Sequence, residues 1–173
     1  MTTQEEWKDI TGFEGRYQIS DFGRIQRIYK NGKKIIMKQE TTNTGYLRIR
    51  LQFNHFNKKF LVHRLVAQEF LDYDDDDEKK ICVDHKDGDK TNNHVSNLRY
   101  CTHSQNNQNK KIIKTNTSGH KNVYWRKERK HWAVRLHVNG KLHYIGSSKD
   151  YDTACQMCDS SLKSLHGEFY NNN

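Results

Sequence analysis

Residues 81–109 bring together three side chains of the kinds needed to break a phosphodiester bond. Asp84 and His85 stand at the end of a short apolar run (ICVDHKD), Gly88 and Asn92–Asn93 mark a turn, NLRYC reads as a return strand, and Asn106 follows it. Hydrolysis of such a bond needs a base to activate water, a divalent cation to neutralise charge on the phosphate and the departing oxygen, and few protein ligands crowding that cation. A histidine can be the base near neutral pH. Asp and Asn oxygens are hard ligands suited to Mg²⁺, which keeps most of its waters.

These side chains need a strand, a turn, a second strand and a helix to hold them. Thr102-x-x-Gln105 (THSQ) matches a capping box, so a helix is expected from near Thr102 with Asn106 in its first turns. Asn107 and Asn109 are neighbours, and on a helix residue 107 points about 100° away from 106, so only one of the two can face a metal. Upstream, residues 5–30 read as short strands and tight turns broken at Gly12, Gly15 and Gly23. Residues 45–62 give a β-hairpin signal, with Leu47, Ile49 and Leu51 on one face and Arg48 and Arg50 on the other. From Arg64 to Leu71 the apolar spacing becomes helical, and the acidic run Asp72–Glu78 reads as a solvated loop.

Beyond a polar linker at 110–117, Asn122–Trp125, Trp132–Val138 and Lys141–Ile145 read as three strands with a turn at Gly140. Tyr151–His166 reads as an amphipathic helix with Ala154, Met157, Cys158, Leu162 and Leu165 on one face. The expected class is α+β and modular: a β-rich module at 1–62, a strand–strand–helix core at 63–109, the linker, and a sheet with one helix at 118–173.

Composition narrows the partner. The chain carries 30 Lys and Arg against 21 Asp and Glu, a net charge of +9, and only 33% hydrophobic residues. That argues for small modules rather than one large core, and for a polyanion as partner. Residues 107–173 hold 12 basic against 5 acidic side chains, and six of the 16 acids before them sit in the Asp72–Glu78 run. No stretch approaches the roughly 18 apolar residues of a membrane span, and the start, MTTQEEWKDI, has no signal-peptide core. A soluble, intracellular protein is expected, in a cytoplasm or nucleus, with neither a membrane partner nor a small-molecule substrate. The four cysteines, 82, 101, 155 and 158, are too few and scattered for a disulfide framework. Cys155-x-x-Cys158 lies inside a helix with no second pair, which favours buried small side chains over zinc.

The run VDHKDGDKTNNHVSNLRYCTHSQNNQNK resembles the HNH nuclease motif of phage-type homing endonucleases with the ββα-metal fold. EEWKDITGFEGRYQISDFGRI resembles the N-terminal module that accompanies this motif, and FLVHRLVAQEF the helix before it. The resemblance implies His85 as general base, Asp84 as metal ligand, Asn97 as the structural residue tying the ββ loop, and Asn106 as second ligand of one Mg²⁺ or Mn²⁺ ion. Residues 118–171 resemble the apetala-type (integrase-like) DNA-binding domain, a three-stranded sheet on one helix. By position, that implies DNA contacts from Lys121, Tyr124, Arg126, Arg135, His137 and Tyr144, while Trp132 packs on the helix. Arg48 and Arg50 are further candidates for DNA contact.

The resulting expectation is a site-directed endonuclease acting on double-stranded DNA as a monomer, nicking one strand or cutting both. A DNA-binding regulator that keeps the HNH fold as an inactive scaffold is the alternative. An RNA-directed protein is disfavoured, because the stacking aromatics of RNA-binding modules are not recognisable.

Overall fold

The computed structural model describes residues 4–53, 56–73, 82–109, 112, 115–138 and 141–166. Its chain is sheet-rich with few helices, and it divides into two compact units, Met1–Thr102 and His103–Asn173.

The first unit opens with a four-stranded antiparallel meander, β1 (Trp7–Asp9), β2 (Tyr17–Ser20), β3 (Ile25–Ile28) and β4 (Lys34–Ile36). A second sheet follows: β5 (Glu40–Thr41), β6 (Leu47–Phe53) and β7 (Phe56–Leu61). In β6 the expected alternation appears directly: Ile49 and Leu51 are buried while Arg50 and Gln52 are exposed, as a strand with one face on a core requires. Helix α1 (Val62–Phe70) comes next, and then the ribbon of β8 (Cys82–His85) and β9 (Leu98–Cys101), preceded by a 3₁₀ turn at Val95–Asn97. The acidic run beyond Tyr73 lies outside the described residues.

One apolar core serves this whole unit. Ile10, Tyr17, Ile19 and Ile25 meet Ile49 and Leu51, and α1 adds Val62, Leu65 and Val66, with Leu98 from β9. The expected modules 1–62 and 63–109 thus both contribute side chains to it.

The second unit begins with α2 (His103–Gln108), starting where the capping-box spacing places it. Strands β10 (Val123–Arg126), β11 (His131–Val138) and β12 (Lys141–Ser148) form an antiparallel sheet, and α3 (Tyr151–His166) spans the expected residues. Val123, Val134 and Leu136 pack against Ala154, Cys158 and Leu162 of the helix. Half of the 110–117 linker (residues 110, 111, 113 and 114), the Gly140 turn and the tail after His166 lie outside the described residues.

Each of these cores is drawn from one unit alone. Leu51→Ala and Leu136→Ala, both at fully buried positions, should each cost roughly 2–5 kcal/mol. Residue-resolved hydrogen exchange should show the loss of protection confined to the unit that carries the substitution.

Candidate active site and nucleic-acid surface

The β8–β9 ribbon sets the site by register. Asp84 faces Arg99 across the pair, and His85 faces Leu98. Directly opposed residues share a face and successive ones alternate, so Asp84 joins Arg99 on one side while His85 turns to the other. Arg99 closes on the carboxylate with two nitrogens: Nε donates to Asp84 Oδ2 at 3.0 Å and Nη2 to the same oxygen at 2.9 Å. Both side chains are nearly buried. A carboxylate without such a partner would be costly there, so Arg99 is what allows a hard oxygen donor to stand in the ribbon.

His85 is buried as well. Its Nε2 lies 3.0 Å from Asn93 Oδ1. The rings of His63 and Tyr46 approach it with centroids at 5.0 and 5.9 Å, the first edge-on. The His63 Nδ1 atom has no hydrogen-bond partner among the described residues. Burial first, then the charges of His85 and Arg64, push its pKa down to about 3. His63, in the first turn of α1, is therefore a neutral packing ring.

Asn97 makes three hydrogen bonds to the loop between the strands. Its Oδ1 accepts from the Asp87 amide at 3.1 Å, and its Nδ2 donates to Asp87 Oδ1 at 3.0 Å and to the Asn92 carbonyl at 2.8 Å. Burial pushes the Asp87 carboxyl up, but hydrogen bonds from Asn92, the Asp89 amide and Asn97 outweigh it and hold the pKa below the usual range. Asp89 is lowered by the Thr91 amide and hydroxyl. Both aspartates shape the turn.

The other expected ligand, Asn106, stands half-buried on α2 in the second unit, whereas Asn107 is exposed and Asn109 lies buried just past the helix end. Cys82 and Cys101 face each other across the ribbon with free thiols, and Cys158 sits in the second core. Burial raises the thiols of Cys101 and Cys158 to about 12, so both are protonated. Among the described residues no cluster of three or more His, Cys, Asp or Glu could hold a metal ion.

The second unit's sheet sorts its side chains cleanly. The register pairs Tyr124 with Ala133, Arg126 with His131, Arg135 with Tyr144 and His137 with Leu142. All lie on the face turned away from the apolar core. A bulge makes this possible: Val134 pairs Gly146 and Arg135 pairs Tyr144, which leaves Ile145 as an extra residue. Tyr124 and Tyr144 are exposed, and Arg126, Arg129, Arg135 and Tyr144 line an open cleft of about 430 Å³. Trp132 packs toward α3 through Tyr151, with ring centroids 4.8 Å apart, while Trp125 is largely exposed. Lys121 is half-buried, and burial lowers its pKa. In the first unit Arg50 is exposed, but Arg48 donates from Nε to Glu40 Oε2 at 3.0 Å, so its charge is already matched.

Comparison with known proteins gives this geometry its family. The HNH endonuclease family matches residues 60–108, and the NUMOD4 motif matches residues 5–52. The solved structure described as DNA binding and cleavage by the HNH homing endonuclease I-HmuI superposes with a TM-score of 0.53 at 30% identity, covering 93% of this chain and 91% of that one. This chain belongs to the HNH endonuclease family. DNA endonuclease I-HmuI of Bacillus phage SP01 is 46% identical over 105 residues, 60% of this chain and 56% of its own length. Protein 3.8 of Escherichia phage T7 is 36% identical over 91 residues, 53% of this chain and 74% of its own. The chain thus spans little more than half the length of the first of these relatives. The two family matches account for the ribbon, α1 and the meander of this HNH protein, and both end before residue 118.

Sequence reasoning left Arg99, Tyr46 and Asn93 without a role at the site. Arg99 could have been found by counting the ladder outward from the turn, since Asp84 and Arg99 are cross-strand partners. Tyr46 and Asn93 carry no such signal, because Tyr46 reaches His85 through ring packing and Asn93 through a hydrogen bond across the loop.

The depressed pKa of His63 has a measurable consequence. Between its ordinary 6.5 and about 3, the unfolded chain binds a proton there that the folded chain does not. The associated stability is whole above the ordinary value and is lost as pH falls toward the depressed one. His63→Phe, which keeps a ring between Tyr46 and His85, should flatten the acid side of the melting-temperature profile relative to the parent.

Proposed function

We propose that the chain is a site-directed endonuclease of homing type that hydrolyses phosphodiester bonds in double-stranded DNA. The observation that carries this reading is the buried Asp84–His85 pair on a ribbon whose loop Asn97 closes with three hydrogen bonds, in a chain of the HNH endonuclease family. His85 takes the proton from the attacking water, and its fixed ring aims the resulting hydroxide in line with the scissile bond. Asp84, oriented by Arg99, and Asn106 on α2 would hold one Mg²⁺ or Mn²⁺ ion. The donor set fits such an ion, since both are hard oxygen ligands and two protein ligands leave it most of its waters. When bound, the ion supplies charge neutralisation on the phosphate and the departing 3′ oxygen.

Residues 118–173 are proposed as a DNA-reading module of apetala type, with the exposed sheet face laid in the major groove. Its support is the placement of Tyr124, Arg126, Arg135, His137 and Tyr144 on one open face opposite α3. The major groove admits a two-stranded β-ribbon, and the β11–β12 pair would present Arg135, His137 and Tyr144 to it in that way. In the first unit, the exposed Arg50 is proposed as a separate DNA contact. One active site per chain, acting as a monomer, fits nicking of a single strand.

A supercoiled-plasmid assay tests the chemistry. His85→Ala should lower cleavage by about 10²–10⁴-fold with little change in DNA affinity. EDTA should abolish parent activity, and Mg²⁺ or Mn²⁺ should restore it. Cleavage by His85→Ala at the parent rate would remove His85 from the role of base. Binding without any cleavage by the parent would favour the regulator.

The reading module is tested separately. Arg126→Ala and Arg135→Ala should each weaken binding and reduce the slope of log affinity against log salt by about 0.9. Both should leave the metal requirement untouched. An unchanged slope in both variants would place the DNA on another face.

A further inference from the structure

The hydrogen bond between His85 Nε2 and Asn93 Oδ1 is 3.0 Å long and lies between two buried side chains. Which group donates is decided by the second contact of Asn93. Its Nδ2 donates to the Thr91 carbonyl at 3.3 Å. A carbonyl only accepts, so the amide nitrogen must take that side and the amide oxygen must face the ring. The amide oxygen also only accepts. Nε2 therefore carries the ring proton, and a neutral imidazole, which has one such proton, keeps its lone pair on Nδ1. We infer that Asn93 is the positioning residue that sets the tautomer and orientation of His85, with the ring proton on Nε2 and the lone pair on Nδ1. This rests on the reading of His85 as the base.

The N-terminal motif holds Asn93 in turn. Gly23 has φ +78°, and a Cβ built on it would lie 2.6 Å from Asn93 Cβ and 3.2 Å from the Asn93 carbonyl oxygen. Only a glycine leaves room for Asn93 to reach the ring. The same turn accepts the Val95 amide on the Asp21 carbonyl at 2.7 Å, and the Gln39 side chain donates to the Gly23 carbonyl at 2.7 Å. The turn at residues 20–24 is thus the wall against which the support of His85 is set. Residues 5–52 would then contribute to the active site as well as to any DNA surface.

Two readouts on the full-length protein test this. The first is the ¹⁵N shift of the His85 ring nitrogens at alkaline pH, where the ring is neutral. The parent should show Nε2 protonated and Nδ1 not. Asn93→Leu, which removes the acceptor at similar volume, should give a mixture of tautomers, and Asn93→Asp, which keeps an acceptor, should restore the parent pattern. The second is plasmid nicking with Mg²⁺. Asn93→Leu should lose about 10–100-fold in kcat at unchanged KM, the range typical of a residue that orients a functional group. Asn93→Asp should recover most of that loss, although it forfeits the bond to Thr91 and should melt at a lower temperature. A purely structural role would make activity follow the melting temperature in both variants. Gly23→Ala provides an independent arm, since it pushes on Asn93 without changing it, and should shift the tautomer in the same direction as Asn93→Leu. Should Asn93→Leu fail to fold, Asn93→Asp and Gly23→Ala decide the matter by the same two readouts. An unchanged tautomer in Asn93→Leu and Gly23→Ala, or parent-like kcat in Asn93→Leu beside an inactive His85→Ala, would overturn the inference. Parent-like cleavage by His85→Ala would instead overturn the reading of His85 as base, and the tautomer shifts would then still report whether Asn93 controls the ring.

Discussion

A two-stranded ribbon is too small to hold a carboxylate and an imidazole in fixed positions against water. Isolated hairpins are marginal in water, and the β8–β9 pair has only four residues to a strand. What steadies it is the single apolar core of the first unit, to which β9 gives Leu98 and α1 gives Val62, Leu65 and Val66. The meander and the β6–β7 hairpin thus serve as scaffold for a site that lies in neither. The NUMOD4 and HNH regions meet in this core, so the two sequence motifs act as one folded body.

Burial then makes demands that the polar residues answer one by one. Asp84 is paired by Arg99, Asn97 satisfies three groups of the loop, and His63 remains neutral because burial disfavours its charged form. Each answer also fixes an orientation, because a hydrogen-bonded group in a low-dielectric setting has few alternatives of similar energy. Preorganisation of the site is therefore a by-product of making the ribbon stable. The second unit meets one such demand at His120, which is buried with Nε2 3.0 Å from Asp159 Oδ1 and Nδ1 2.7 Å from the Lys121 carbonyl. Its outer sheet face is open, and its order comes from the packing of Val134 and Leu136 on α3.

Much of this was legible in the residues. Alternation in β6, the helical spacing after Val62, the capping-box start of α2 and the limits of α3 follow from local periodicity, which does not depend on what the element packs against. Asp84 and His85 could be picked out from their place at the end of one strand of the ribbon, and Asn97 only through the resemblance to the HNH motif. The open face of the second sheet was also legible in outline, since residues two apart share a face, although the bulge at Ile145 that keeps Arg135 beside Tyr144 was not.

Other features were decided only by the tertiary structure. The union of residues 1–62 with the ribbon in one core depends on side chains far apart in sequence. Arg48, expected as a DNA contact, is matched by Glu40 because β5 pairs there. Tyr46, His63 and Asn93 surround His85 from three separate segments, and Gly23 sets the last of them from a fourth. The sequence determined which groups could perform the chemistry and the local frame that presents them. Which neighbours make those groups neutral, paired or oriented was left to the tertiary structure, because such contacts arise from packing between distant segments and leave no periodic trace in the chain.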